Sequence, residues 1–273
     1  MDYTFNFTHL IKRFLFVSCF LVTFSTTADD NQDATDACFS KFEAKDYKSA
    51  FSLCKQVAEM GHSYVQTSLA WMYTNGDGIP KEDKQALYWY TKAAKQGNKF
   101  AQYDLAQIYT NGDGIPKDDK QAFYWYTKAA EQGNASAQFN LGVMYANGEG
   151  THKDVKQAVY WYTQSAKQGY MSAQYNLGVM HSDGEGTPKN DKQAIYWYTK
   201  SAEQGDASAQ LNLGIMQFQF KEILIAYAWM NVSAAQGAEG ATESRGIIEK
   251  IMTPSQIVEA QKLSKEYYAK YVK

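Results

Sequence analysis

The chain has 273 residues, 45% of them hydrophobic and 15% aromatic, with a formal charge of −2 at pH 7. Such a composition suits a protein with ample apolar surface to bury, and it gives no electrostatic case for binding nucleic acid. Length alone suggests one or two globular domains, a prior that the internal pattern replaces.

Residues 1–28 read as a targeting segment. Lys12 and Arg13 precede an apolar run from Phe14 to Phe24, followed by Ser25-Thr26-Thr27-Ala28 and then Asp29-Asp30. A basic flank, an apolar run of about 7–15 residues and a small-residue exit describe a secretory signal, with cleavage expected after Ala28. The run is too short for a membrane span, which needs about 20 apolar residues. A secreted or periplasmic location is therefore expected. Cleavage would remove Cys19 and leave Cys38 and Cys54. An even count in an exported chain favours a disulfide between them, the alternative being two buried thiols.

Residues 29–62 are expected to form an N-terminal helical hairpin cap, Cys38 to Phe42 and then Tyr47 to Ala58. From there the chain repeats itself. Gly97, Gly133, Gly169 and Gly205 stand thirty-six residues apart, as do Trp89, Trp125, Trp161 and Trp197. Self-similarity at that period marks a stacked-repeat architecture, here five units over 63–98, 99–134, 135–170, 171–206 and 207–238.

In the unit from Ala135, apolar residues at 137, 141, 144 and 145 fall at helical spacing and predict one buried stripe. Asn147-Gly148-Glu149-Gly150 then ends that helix, because glycine takes the left-handed conformation easily. A second helix follows from about Asp154 to Gln168, with Ala158, Trp161, Tyr162 and Ser165 as its inward stripe. Acidic residues near the starts of the second helices, among them Asp83, Asp118 and Asp154, suit capping. Short connections make neighbouring helices antiparallel. Ala70, Ala106, Gly142, Gly178 and Gly214 occupy one equivalent position. This notch implies a close approach, and the recurring indole is expected to fill it. Residues 239–273 read as two capping helices split at Thr253-Pro254, covering the apolar edge that a repeat array exposes at its end.

The pattern Ala-x-x-x-Leu-Gly-x-x-Tyr-x-x-Gly-x-Gly, then Lys-x-Ala-x-x-Trp-Tyr-x-x-Ala-Ala-x-Gln-Gly, resembles the Sel1-like repeat. It stands here as Ala137, Leu141-Gly142, Tyr145 and Gly148-Glu149-Gly150, then Gln157-Ala158, Trp161-Tyr162 and Gln168-Gly169. The resemblance implies an all-α fold, a right-handed α/α superhelix of helix–turn–helix repeats similar to tetratricopeptide arrays. It also implies a role in protein–protein contact, in secreted bacterial members often contact with host cells. Some cysteine-rich secreted relatives are β-lactamase-like, but those carry a disulfide in nearly every unit, and this chain has cysteines only in its leading hairpin.

In superhelices of this type the first helices line the inner surface. Tyr103, Phe139, Tyr175 and Leu211 occupy one column there, Gln107, Val143 and Val179 a second, and Asn140 and Asn176 belong to a third that begins at Asp104. These are the candidate partner-binding residues. Two readings stand for the apolar columns: an exposed interaction strip, or side chains buried by crowding between units. The amide column could bond a peptide backbone or hold adjacent units together. Tyr88, Tyr124, Tyr160 and Tyr196 form a possible aromatic ladder on the opposite, outer surface.

No catalytic residue, metal site or cofactor is expected. His62, His152 and His181 lie in different units without metal spacing, and there is no nucleophile elbow or phosphate-cradling loop. Asn-Gly-Asp-Gly lacks the alternating ligands of a calcium loop. The expected function is an exported scaffold, monomeric, whose partner is another protein or peptide, with no nucleic acid and no membrane span. Two alternatives remain: a hydrolase acting on a β-lactam or cell-wall fragment, and a periplasmic scaffold for envelope assembly. Asn134-Ala135-Ser136 and Asn231-Val232-Ser233 also fit the glycosylation sequon.

Overall fold

The computed structural model describes residues 26–272. The targeting segment therefore lies, up to residue 25, outside the described residues. Fourteen helices and no strand are found among the described residues, and the chain divides into two compact units at Lys117/Asp118. None of these helices is long and apolar enough to cross a membrane.

The first unit holds α1 (Thr26–Glu43), α2 (Tyr47–Glu59), α3 (Ser63–Asn75), α4 (Asp83–Lys95) and α5 (Lys99–Asn111). Cys38 of α1 and Cys54 of α2 are disulfide-bonded, with Cα atoms 5.0 Å apart. Helix α1 begins well before Cys38, where the sequence reading opened it, because no glycine or proline interrupts the chain from Thr26 to Glu43. It thereby runs across the expected cleavage point.

The second unit holds α6 (Asp119–Glu131), α7 (Ala135–Asn147), α8 (Val155–Lys167), α9 (Met171–Asp183), α10 (Asp191–Ala202), α11 (Ala207–Gln219), α12 (Ile223–Ala235), α13 (Ala241–Glu249) and α14 (Pro254–Tyr271). Its fold is a tandem series of helix–turn–helix hairpins. Gly148 ends α7 in the left-handed region, φ 79°, and its N–H reaches back to the Met144 carbonyl. Where the glycine loop is missing, Lys221 takes that conformation, φ 66°, in the short turn from α11 to α12. Asp118 and Asp154 cap α6 and α8, accepting backbone N–H groups at 3.0 Å. Asp83 departs from expectation: Glu82 occupies the cap position of α4 with no side-chain bond, and Asp83 pairs with Lys81. Thr253 and Gln256 close a capping box at the start of α14.

Cores form between hairpins. Ala158, Tyr162 and Ala166 of α8 pack with Ala173, Leu177 and Met180 of α9, and Trp197 comes in from α10. The next core repeats the scheme with α10, α11 and Trp229 of α12. Leu141, Leu177 and Leu213 are almost wholly buried, each contributing about 2 kcal/mol of transfer free energy. At the C-terminal end Trp229 meets Tyr267 and Tyr271 of α14, centroids 4.5 and 5.4 Å away, so α14 stands where a further hairpin would.

The notch is real, but its occupant is not the indole. A Cβ on Gly142 would sit 2.7 Å from the Tyr162 ring, one on Gly178 2.5 Å from the Tyr198 ring, and one on Gly214 2.8 Å from Met230. Tyrosine fills the notch of its own hairpin, while the preceding tryptophan reaches the neighbouring core. Neighbours on a helix are separated by about 100° of rotation, so the two rings must diverge. Gly178→Ala is expected to destabilise the protein by about 1–3 kcal/mol through overpacking. Gly246→Ala, where a Cβ meets nothing within 4 Å, should stabilise by up to about 1 kcal/mol. Urea denaturation of both variants checks the pair.

Candidate functional site

The first helices of the second unit carry the candidate strip. Phe139 and Val143 of α7 are half-buried and pack against the core of α8 and α9. The Phe139 ring lies 5.7 Å from that of Tyr162 and 5.1 Å from that of Tyr170. Tyr175 and Val179 of α9 rest in the same way on the next core, Tyr175 6.0 Å from Tyr198. Leu211 of α11 packs on the core built from α12, α13 and α14. Ile215, next in the valine column, is the member that breaks the surface, at 37% exposure. The strip is thus the rim of successive cores, neither free of the core nor sealed by it. Tyr103 and Gln107 belong to the other unit, where the Gln107 amide donates to the Tyr103 hydroxyl at 3.0 Å.

The third column has a structural task. Asn176 of α9 is hydrogen-bonded to Tyr162 of α8, and Asn212 of α11 to Tyr198 of α10. Asn140 is half-buried beside them in the series. Desolvation pushes the Tyr162 hydroxyl up to about 12, against the opposing effect of the Asn176 bond. In the first unit the equivalent pair is Tyr90 and Asp104, a carboxyl where the other hairpins carry an amide. Burial pushes the Asp104 carboxyl up to about 7, opposed by the hydrogen bond that Tyr90 donates.

Sequence reasoning missed a buried glutamine relay. The Gln138 amide donates to the Ala130 carbonyl at the end of α6, at 3.1 Å, and its oxygen accepts from Gln168 at 2.7 Å. Gln174 does the same between Ala166 and Gln204, and Gln210 between Ala202 and Gln236. Ser165, Ser201 and Ser233 donate to the carbonyls of Ala135, Met171 and Ala207. The glutamines add a second bond to carbonyls in the last turns of α6, α8 and α10, and the serines tie the second helix of each hairpin to the first turn of its first helix, so these bonds fix how the helices sit against one another. The thirty-six-residue recurrence of Gln66, Gln102, Gln138, Gln174 and Gln210 was the available signal.

In both sequons the asparagine side-chain oxygen is engaged. Asn134 is 8% exposed and caps α7 through the Ala137 N–H, and Asn231 accepts from Arg245 at 2.7 Å. Among the described residues no group of three histidine, cysteine, aspartate or glutamate side chains is placed to hold a metal ion.

The sequence model of the Sel1 repeat matches residues 63–98, 99–134, 135–170 and 172–206, together just over half of the chain. No curated protein matches it. Among solved structures, a protective antigen present in uropathogenic Escherichia coli strains, displaying an SLR fold, is 36% identical with a TM-score of 0.79. That match covers 90% of this chain and 55% of the antigen's, so the chain spans little more than half of that relative's length. A Sel1 repeat protein from Oxalobacter formigenes is 29% identical with a TM-score of 0.71, covering 85% of this chain and 96% of its own.

Asp104 makes stability depend on pH in a calculable direction. Its folded pKa lies above the usual value of 3.8, so the folded state holds a proton that the unfolded state releases. That contribution is fully present below about pH 4 and is lost as pH rises through about 7. Asp104→Asn should therefore raise stability at pH 8 by about 2 kcal/mol, discounted for partial exposure, and leave it nearly unchanged at pH 4. Thermal unfolding of both proteins across that range checks the convergence.

Proposed function

The chain belongs to the Sel1-repeat family, and from that premise we propose that it is an exported scaffold that captures a protein or peptide on its first-helix strip. Sel1-repeat proteins generally serve as protein–protein interaction scaffolds and are typically not enzymes. The observation that carries the finer reading is the rim itself. Phe139, Tyr175 and Leu211 are anchored from below by packed cores while part of each faces outward. Aromatic and aliphatic groups held rigid in this way lose little entropy when a partner covers them.

Export is supported by the Cys38–Cys54 disulfide, a bond that persists in oxidising compartments, together with the apolar run that opens the sequence. Contact with a host is supported by the resemblance to an antigen of a uropathogen. The mechanism needs no covalent step: preformed shape and anchored side chains supply affinity.

Val179→Ser combined with Ile215→Ser should reduce recovery of the partner at least tenfold while leaving far-ultraviolet circular dichroism unchanged. Crosslinked pull-downs from host-cell and bacterial-envelope extracts, quantified by mass spectrometry against the unsubstituted protein, provide the comparison. A partner recovered equally by both proteins would remove the strip from the account.

A further inference from the structure

The outward faces of the second helices carry side chains that the strip does not use. In the second unit Tyr124, Tyr160 and Tyr196 hold the same place on α6, α8 and α10, each 49–51% exposed. The family pattern leaves this position open, and the exposed half of a tyrosine adds nothing to a core. Yet tyrosine stands there on four successive second helices, beginning with Tyr88. Each of the three rings is set edge-on against the tryptophan that follows it, with centroids 4.8–5.0 Å apart and planes at 76–81°. Those tryptophans are buried or half-buried, so the rings form a braced array.

Lysine frames the rings. Lys120, Lys156 and Lys192 stand exposed four residues before them, and steps of four share a helical face. Beyond the first and third rings, the Lys128 and Lys200 ammonium groups lie 5.8 and 6.0 Å from the tyrosine centroids. The carboxylates of Asp118 and Asp154, at the helix starts, are taken by backbone N–H groups. Glu131 and Glu203 lie past the band and pair with Lys128 and Lys200 at 3.9 and 3.8 Å, exposed pairs that an incoming anion exchanges at little cost. Asp119 and Asp191, half-buried in the first turns of α6 and α10, stand five residues before their rings and off that face, so lysine predominates around each ring in a chain of net charge −2.

A surface that repeats a tyrosine and a preceding lysine on three successive second helices, α6, α8 and α10, suits a ligand that repeats as well. We propose that this face binds a linear acidic polysaccharide, its pyranose rings lying on the tyrosines and its carboxylates meeting the flanking lysines. Tyrosine supplies flat apolar area with a polar tip, and ammonium–carboxylate contacts are strong, charge-assisted hydrogen bonds. A bilayer fits the face poorly. Beside the three tyrosines these helices expose no large hydrophobic side chain, whereas interfacial helices bury Trp, Phe or Leu among the acyl chains.

Polygalacturonate is the probe, with the full chain followed by affinity electrophoresis and titration calorimetry. Retention is expected, with binding at least tenfold weaker in the Tyr124→Ala/Tyr160→Ala/Tyr196→Ala protein and in the Lys120→Gln/Lys156→Gln/Lys192→Gln protein. Replacing the same tyrosines by phenylalanine should preserve most of the binding and guard against a folding defect. The Val179→Ser/Ile215→Ser protein should bind as the unsubstituted chain does, which separates this surface from the strip. Absence of retention overturns the proposal. So does equal binding to polyglutamate or to phosphatidylglycerol vesicles, or binding that survives loss of all three rings.

Discussion

A buried amide that must find partners in two other helices is the constraint on which the second unit depends. Gln138 is 6% exposed, and it reaches a carbonyl of the preceding helix while accepting from the end of its own hairpin's second helix. Leaving such a group unpaired in the interior costs about 1–3 kcal/mol. The bonds form only in one register, so each glutamine both penalises misplacement and rewards one arrangement of the neighbouring hairpin. Apolar burial supplies the bulk of the attraction there, and the relay decides where it is spent.

The Trp-Tyr pair divides its work around that relay. Tyr162 and Tyr198 close the notches opposite Gly142 and Gly178 and bond Asn176 and Asn212 on the following helix. Trp197 and Trp229 fill the core one hairpin back. Two adjacent residues, Trp197 and Tyr198, thus tie their own helix to α8, α9 and α11, and a hairpin deprived of its neighbours loses those partners.

Much of the hairpin structure was legible in the sequence, for physical reasons. Glycine at 148 and the small residue at 142 each answer a demand that few side chains meet, so their recurrence reveals loop and notch directly. The identity of the ring in the notch was not legible. Trp161 and Tyr162 both fall on the inward side by periodicity, and only the neighbouring hairpins decide which way each turns. The glutamines are not legible as buried groups, because polarity reads as surface and their burial follows from carbonyls that belong to other helices. Of the candidate strip, the columns were legible from spacing, while the depth of Phe139 and Tyr175 depended on side chains thirty-six residues away or closer. For the amide column, spacing leaves open a peptide contact or a joint between units, and the hydrogen bonds of Asn176 to Tyr162 and of Asn212 to Tyr198 depend on hydroxyls of the preceding helix that periodicity does not place.

The same construction explains how two surfaces can coexist on one short repeat. The α7–α8 and α9–α10 hairpins each carry half-buried side chains at the edge of a core on the first helix and a tyrosine braced by tryptophan on the second, and both are held by residues that also hold the stack. The central claim is that a hairpin owes its structure to its neighbours. Far-ultraviolet circular dichroism of the isolated segment 171–206 tests it most directly. The account expects a spectrum dominated by unfolded chain with no cooperative thermal transition, and a stably helical segment that melts cooperatively would contradict it.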